Sequence, residues 1–133
     1  MKPPMPSFRV HSLPQAIAAL TAADEAGVAV TLWSPARALG PGYILAMLQA
    51  ARAAIPAARA LAVQDCGDAP GLALGALRMG AEAVCVDASP ETLDKLADIA
   101  ARHGARLMPR EDACDLSPAF DPLAAARRFL GLA

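Results

Sequence analysis

The chain has 133 residues, 56% of them hydrophobic and 19% charged, with a formal net charge of −1 at pH 7. That length favours one domain around one core. The near-zero charge offers no field to nucleic acid or an anionic membrane, and one Trp, one Tyr and three Phe, scattered, make no stacking platform for bases. Cys66, Cys85 and Cys114 lack a C-x-x-C spacing, so neither a disulfide framework nor a thiolate zinc knuckle is expected. A reducing, cytoplasmic setting fits them. The opening MKPPMPSF has no apolar run of the kind a signal peptide carries, and the longest uncharged stretch, 38–51, is broken by Gly40, Pro41 and Gly42. The expectation is a soluble protein with no membrane partner.

A frayed, Pro-rich segment (1–7) precedes the α/β domain expected over 8–133. FRVHS (Phe8–Ser12) reads as the first strand. Ser12 then opens a helix, because Ser12 and Gln15 form a capping box, with Leu13, Ile17 and Leu20 as its apolar stripe and Gly27 as its stop. VAVTLW (Val28–Trp33) is a continuous apolar run, suited to a strand covered on both faces. A helix from Gly42 to Ala54 buries Ile44, Leu45 and Leu48, and ALAVQ is the third strand. The third helix is DAPGLALGALRM, with Asp68 as its N-cap; EAVCV is the fourth strand. Ser89 caps the next helix, Pro90 takes its first position, and Leu93, Leu96, Ala97 and Ala100 form its stripe. ARLM is a fifth strand. PREDACDLSPAF is read as a loop, and Asp121-Pro122 starts a last helix with Leu123, Ala126, Phe129 and Leu130 inward.

The fold class is therefore α/β: five βα units with a parallel sheet flanked by helices, since helical crossovers force parallel pairing. In such a sheet the strand ends meet at one edge, where ligands bind. Read in order, those ends carry His11 and Ser12, then Trp33 and Ser34, then Asp65 and Cys66, then Asp87 and Ser89, then Arg110, Glu111 and Asp112. Asp65, Cys66 and His11 are the candidate catalytic groups. Ser12, Ser34, Asp87, Ser89 and Glu111 are the candidate ligand-binding groups, with helix capping as the competing duty of the serines. Trp33 reads as packing. Gly40-Pro41-Gly42 leads into a helix but lacks the lysine of a P-loop, and no G-x-S-x-G elbow exists.

These motifs, in this order, resemble a known family. FRVHSLPQAIAALTAADEAGVAVTLW is similar to the first βαβ of class II fructose-bisphosphate aldolases and their tagatose-type relatives. The stretch from Gly40 to Ser89 is similar to their next section, where Asp-His-Gly follows one strand and an aliphatic-Asp-Gly-Ser ends the next. The likeness covers about residues 8–108 and only half of that family's barrel. It implies that Asp65 matches the family's proton-handling Asp, that Cys66 stands where a zinc-binding His stands, and that Arg9 replaces a substrate-side Asn. Asp87 is kept, with Ala88 in place of Gly. The family's other two zinc ligands and most of its phosphate contacts come from strands beyond this stretch. A closed barrel of this kind takes roughly 200–250 residues.

Half a barrel leaves its outer strands with unpaired N–H and C=O groups. The sheet can open into a flavodoxin-like order or stay half a TIM barrel, and two chains can pair to cover each other; the open sheet with a homo-oligomer is the expectation. One Cys beside one Asp is too little to assign a divalent-metal site, because a catalytic zinc takes three protein ligands, and a divalent metal stays the lesser alternative. No cofactor is expected. The leading functional reading is a non-catalytic module that binds a small molecule or regulates. The alternative is a small lyase or isomerase for a carbonyl or phosphosugar, with Asp65 as general base, Cys66 as ligand or nucleophile and His11 as a polar helper, acting across a homodimer. A third is a structural partner whose last helix docks another chain. A phospho-receiver is discounted, because the acidic pair at the end of strand one and the Lys after strand five are absent.

Overall fold

The structure, a computed structural model, describes residues 5–132. It is α/β: a parallel six-stranded open sheet flanked by helices, with strand order β5-β4-β3-β2-β1-β6. The order is sequential from β1 to β5, as in a segment of a barrel, and not the flavodoxin-like 2-1-3-4-5. Short right-handed crossovers permit either order, so the sequence pattern does not separate them. Two compact units are distinguished. One holds the chain up to Trp33, Met47–Leu61 and the chain from Asp112 on; the other holds Ser34–Ala46 and Ala62–Glu111.

The first unit is built on β1 (Ser7–Arg9), α1 (Leu13–Ala26) and β2 (Val30–Pro35). β1 begins at Ser7, within the segment expected to be frayed, because its backbone and hydroxyl both find partners on β2; residues 1–4 of that segment lie outside the described residues. β1 pairs in parallel with β2, Ser7 opposite Thr31 and Arg9 opposite Trp33. The side chains of Ser7, Thr31 and Trp33 share one face. Trp33 Nε1–H donates to Thr31 Oγ1 at 3.1 Å, and the Thr31 and Ser7 hydroxyls lie 2.6 Å apart. Trp33 is fully buried, so this chain of donors satisfies polar groups that water cannot reach. In α1, Ala16, Ala18, Ala19, Leu20, Ala22 and Ala23 are buried. Each alanine buries little area, but together they let neighbours approach closely. The capping box forms with a shift: Ser12 Oγ accepts from Gln15 N–H at 3.4 Å, while Gln15 Oε1 accepts from the His11 N–H at 2.7 Å, one residue before the position expected. Gly27 ends the helix at φ 68°, a left-handed turn that an L side chain rarely adopts.

The segment read as a loop contains a sixth strand. β6 (Cys114–Asp115) pairs in parallel with β1, Phe8 opposite Cys114 and Arg9 opposite Asp115, and Leu116 N–H continues the ladder to the Arg9 carbonyl at 3.1 Å. From there the chain enters α6 (Pro122–Phe129), capped by the Asp121 carboxylate, which accepts from Ala124 N–H at 3.1 Å. Arg127 grips Glu25 of α1 through two bonds of 2.6 and 2.8 Å, and the Phe129 ring meets Phe8 edge-on at 5.2 Å.

The second unit opens with α2 (Ala36–Leu39), a short helix absent from the sequence expectation, which leads into α3 (Pro41–Ala54). β3 (Ala60–Asp65), β4 (Ala83–Cys85) and β5 (Arg106–Leu107) pair in parallel and in order, Asp65 opposite Cys85 and Val84 opposite Leu107. α4 (Pro70–Arg78) and α5 (Pro90–Arg102) pack on each other, burying Ala73, Ala76, Leu77, Leu96 and Ala100. Ala97, expected inward, is exposed. Full burial of a side chain such as Leu77 contributes about 1.5–3 kcal/mol. Asp68 does not cap α4, whose N-cap is Ala69 with no side-chain bond. The Asp68 carboxylate instead accepts from Arg37 at 2.8 Å. Among the described residues, no helix is long and apolar enough to cross a membrane.

The buried hydroxyl network gives a stability test. Thr31→Val keeps the shape of the side chain, leaves the buried Trp33 N–H without its acceptor and removes Thr31 from the Ser7 hydroxyl, which keeps the Met5 carbonyl. Urea denaturation should show a loss of about 1–3 kcal/mol. A loss under about 0.5 kcal/mol would mean that the network does not hold the β1–β2 register.

Candidate functional site

The strand register of the second unit decides where its polar groups stand. Beyond β3 and β4 the ladder continues: Cys66 N–H donates to the Cys85 carbonyl at 2.8 Å, and Asp87 N–H donates to the Gly67 carbonyl at 2.7 Å. The β4–β5 ladder runs on likewise, with Met108 N–H bonding the Val84 carbonyl at 2.8 Å. Three strand ends are thereby fixed side by side, and two residues past Met108 comes Arg110.

Arg110 joins the two carboxylates. Its Nη1 donates to Asp65 Oδ2 at 2.8 Å and its Nη2 to Asp87 Oδ2 at 3.2 Å. The other Asp65 oxygen accepts from Gly67 N–H at 3.0 Å, an Asx turn that the positive φ of Gly67 (56°) makes possible. The Asp65 side chain is 12% exposed and that of Asp87 66%. The hydrogen bond to Asp65 drives the Arg110 guanidinium even further above its ordinary range, against the opposing effect of burial, so it stays charged. Arg110 also lines a cleft of about 510 Å³ with Asp87, Cys85, Val86, Leu93 and Leu107 among its walls.

Cys66 takes a different place from its neighbour. Successive strand residues face opposite sides, and Cys66 is fully buried, its thiol donating to the Gln64 carbonyl at 3.6 Å. Burial, then the charges of Asp65 and Cys85, push the thiol up to about 12. At neutral pH it is a packed thiol, and only a thiolate is a good nucleophile or metal ligand. Ser34 is buried too, and among the described residues its Oγ and the Oε1 of buried Gln64 have no hydrogen-bond partner. Ser89 is exposed and serves as the N-cap of α5, accepting from Thr92 N–H at 3.2 Å. Glu111 is half-buried and follows Arg110 in the same loop.

In the first unit, His11 leaves the end of β1 and meets residues just past and within β6. Its Nδ1 is hydrogen-bonded to the Ser117 hydroxyl and lies 3.8 Å from Asp115 Oδ1, while Ser117 N–H donates to the same carboxylate at 2.9 Å. Serine and aspartate therefore both address one ring nitrogen. A Ser-His-Asp triad needs them on opposite nitrogens. Ser12 caps α1, as described above. Burial raises the Asp115 carboxyl, but bonds from Ser117 and the charges of His11 and Arg9 outweigh it, and the net direction is downward from 3.8.

The structure thus brings Asp65 and Asp87 together and places His11 with Asp115 and Ser117. Sequence reasoning put Arg110 at the rim without giving it a role. Asp115 and Ser117 it left in a loop; an isolated Cys-Asp pair carries no strand periodicity. Among the described residues, no three of His, Cys, Asp and Glu are grouped so as to hold a metal ion.

No protein-family model matches the sequence, and no curated protein matches it either. Solved structures do share the fold. The YdjI aldolase of Escherichia coli K12 superposes with a TM-score of 0.65 over 96% of this chain and 52% of its own, at 16% identity. A candidate fructose-1,6-biphosphate aldolase from Coccidioides immitis gives a TM-score of 0.59 over 79% of this chain and 45% of its own, also at 16% identity. The chain spans about half the length of the aldolase chains it matches. At that identity the likeness is one of fold, a partial aldolase barrel.

Two measurements check these environments. Asp115 is held below its unfolded value, so its contribution to stability is complete above about pH 4 and fades as the pH falls through its folded pKa. The stability gap between the wild type and Asp115→Asn should accordingly shrink on acidification; a gap that widens below pH 4 would contradict the assigned contacts. In thiol labelling of the native protein at about pH 8, half-buried Cys114 should react before Cys66, which should react only on unfolding. Fast native labelling of Cys66 would restore it as a nucleophile.

Proposed function

We propose that this chain is a non-catalytic module that binds a small molecule at the Asp87–Arg110 cleft on a partial aldolase barrel. The observation that carries the reading is the Arg110 bridge. A general base must hold an oxygen within hydrogen-bond reach of the substrate's proton. The described bonds of Asp65 engage one oxygen with Gly67 and the other with Arg110. The zinc that the aldolase resemblance implies does not fit these donors either. Cys66, where a ligand is wanted, turns into the core as a protonated thiol, and a fixed guanidinium already sits between the two carboxylates. What is left open is the cleft itself, whose volume falls within the roughly 300–1,000 Å³ of small-molecule pockets.

The alternative is a lyase with Asp65 as base, and the aldolase-like fold is what keeps it in view. A retro-aldol assay on fructose 1,6-bisphosphate, with and without added Zn²⁺, separates the two. No turnover above the blank is expected, and none that depends on Asp65. In parallel, NMR titration with a fragment set of acids, amines and neutral compounds should shift resonances around Asp87, Leu93 and Arg110. Turnover abolished by Asp65→Asn would hand the protein to the lyase reading.

A further inference from the structure

We infer that the ligand of this cleft is a small monocarboxylate with an apolar body, whose carboxylate displaces Asp87 from Arg110 while Arg110 stays anchored on Asp65. The inference rests on the ligand-binding reading above and names the ligand's class. The two ion pairs of Arg110 are unequal. Asp65 is nearly buried, 2.8 Å away, and pinned by Gly67 through its second oxygen. Asp87 is 66% exposed and 3.2 Å away. An exposed pair of this kind contributes little, because water solvates both charges well when it opens. Asp87 is therefore the exchangeable partner and Asp65 the fixed one.

Arg110 has donors to spare. A guanidinium carries five N–H groups in a planar fork, and the two ion pairs use one hydrogen on each terminal nitrogen. The fork matches a planar carboxylate in bidentate fashion. Beyond the ion-paired Asp87 and Arg110 the cleft is walled by Cys85, Val86, Ala88, Leu93, Leu107, Met108 and Pro109. These seven offer an apolar seat, with polar side chains only at the Asp87–Arg110 end. Charge selects further. Asp65, Asp87 and Arg110 together sum to −1 when ionised, so a dianionic phosphate ester would bring two more negative charges beside the carboxylates, and a monocarboxylate only one.

Titration by NMR with benzoate, hexanoate, neutral benzamide and inorganic phosphate tests the assignment. Benzoate or hexanoate should saturate the resonances around Leu93 and Leu107, and benzamide and phosphate should not. Asp87→Asn removes the competing carboxylate and should tighten carboxylate binding by roughly two- to fivefold. Arg110→Gln should abolish it; should that variant fold poorly, Leu93→Glu on the cleft wall should abolish it with the clamp intact. Asp87→Asn binding that weakens or stays unchanged, or phosphate binding at least as tight as the carboxylates, would overturn the carboxylate assignment and leave the ligand-binding reading standing. Cleft resonances unmoved by these four probes and by the wider fragment set would overturn both.

Discussion

The outer strand of a parallel sheet presents N–H and C=O groups that stay unmet unless the chain returns to pair with them. In the first unit that return is β6. Two residues, Cys114 and Asp115, lie along Phe8 and Arg9, and Leu116 closes the ladder and buries its side chain. Everything after it follows from the pairing. Asp115 and Ser117 arrive beside His11, and the chain is delivered to α6, where Arg127 finds Glu25 and Phe129 finds Phe8. The strands at the ends of the sheet order, β5 and β6, are two residues each. Such short edges are poor templates for a foreign strand.

The second unit is governed by a different constraint, that of like charges at neighbouring strand ends. The ladder that sets Asp65 opposite Cys85 and carries Asp87 to Gly67 also sets two carboxylates where each would repel the other. A cation stands between them. Arg110 supplies it from the loop after β5, tied by the chain and by the β4–β5 ladder. A resident guanidinium differs from a bound metal ion in its consequences. It cannot leave, and it acts through hydrogen bonds rather than through a coordination bond. It can exchange one acceptor for another or take a further one on its spare N–H groups. On the proposed reading, recognition at this rim is a matter of swapping partners on a fixed cation.

Much of the local structure was legible in the residues, because its causes are local. Ser12, Ser89 and Asp121 cap the helices they were expected to cap, and the alternation of apolar runs with stripes at helical spacing gave the βα units. What was not legible depended on partners far along the chain. Asp68 has the sequence position of an N-cap, but Arg37, 31 residues earlier, takes its carboxylate. β6 has too few residues to show a period and exists because β1 is there to receive it. The strand order lies beyond periodicity altogether, since crossovers of similar length serve either order. For Cys66 a signal was present: the alternation of β3, carried one residue past its end, turns it away from Asp65. Arg110 gave a weaker signal, a cation just past a strand whose neighbours both end in aspartate.

Fold and function separate at this point. At 16% identity, the aldolases that superpose on this chain share the course of the backbone, and a shared backbone hosts many chemistries. The side chains at the strand ends are what decide. Here each oxygen of Asp65 accepts a hydrogen bond, Cys66 is packed into the core, and the His11 imidazole meets Ser117 and Asp115 through one nitrogen. On the proposed reading, each of these groups has a partner that holds it still. The surface beside Arg110 is the exception, since one of its two partners is exposed and exchangeable, and that asymmetry is why the functional reading turns on binding and not on turnover.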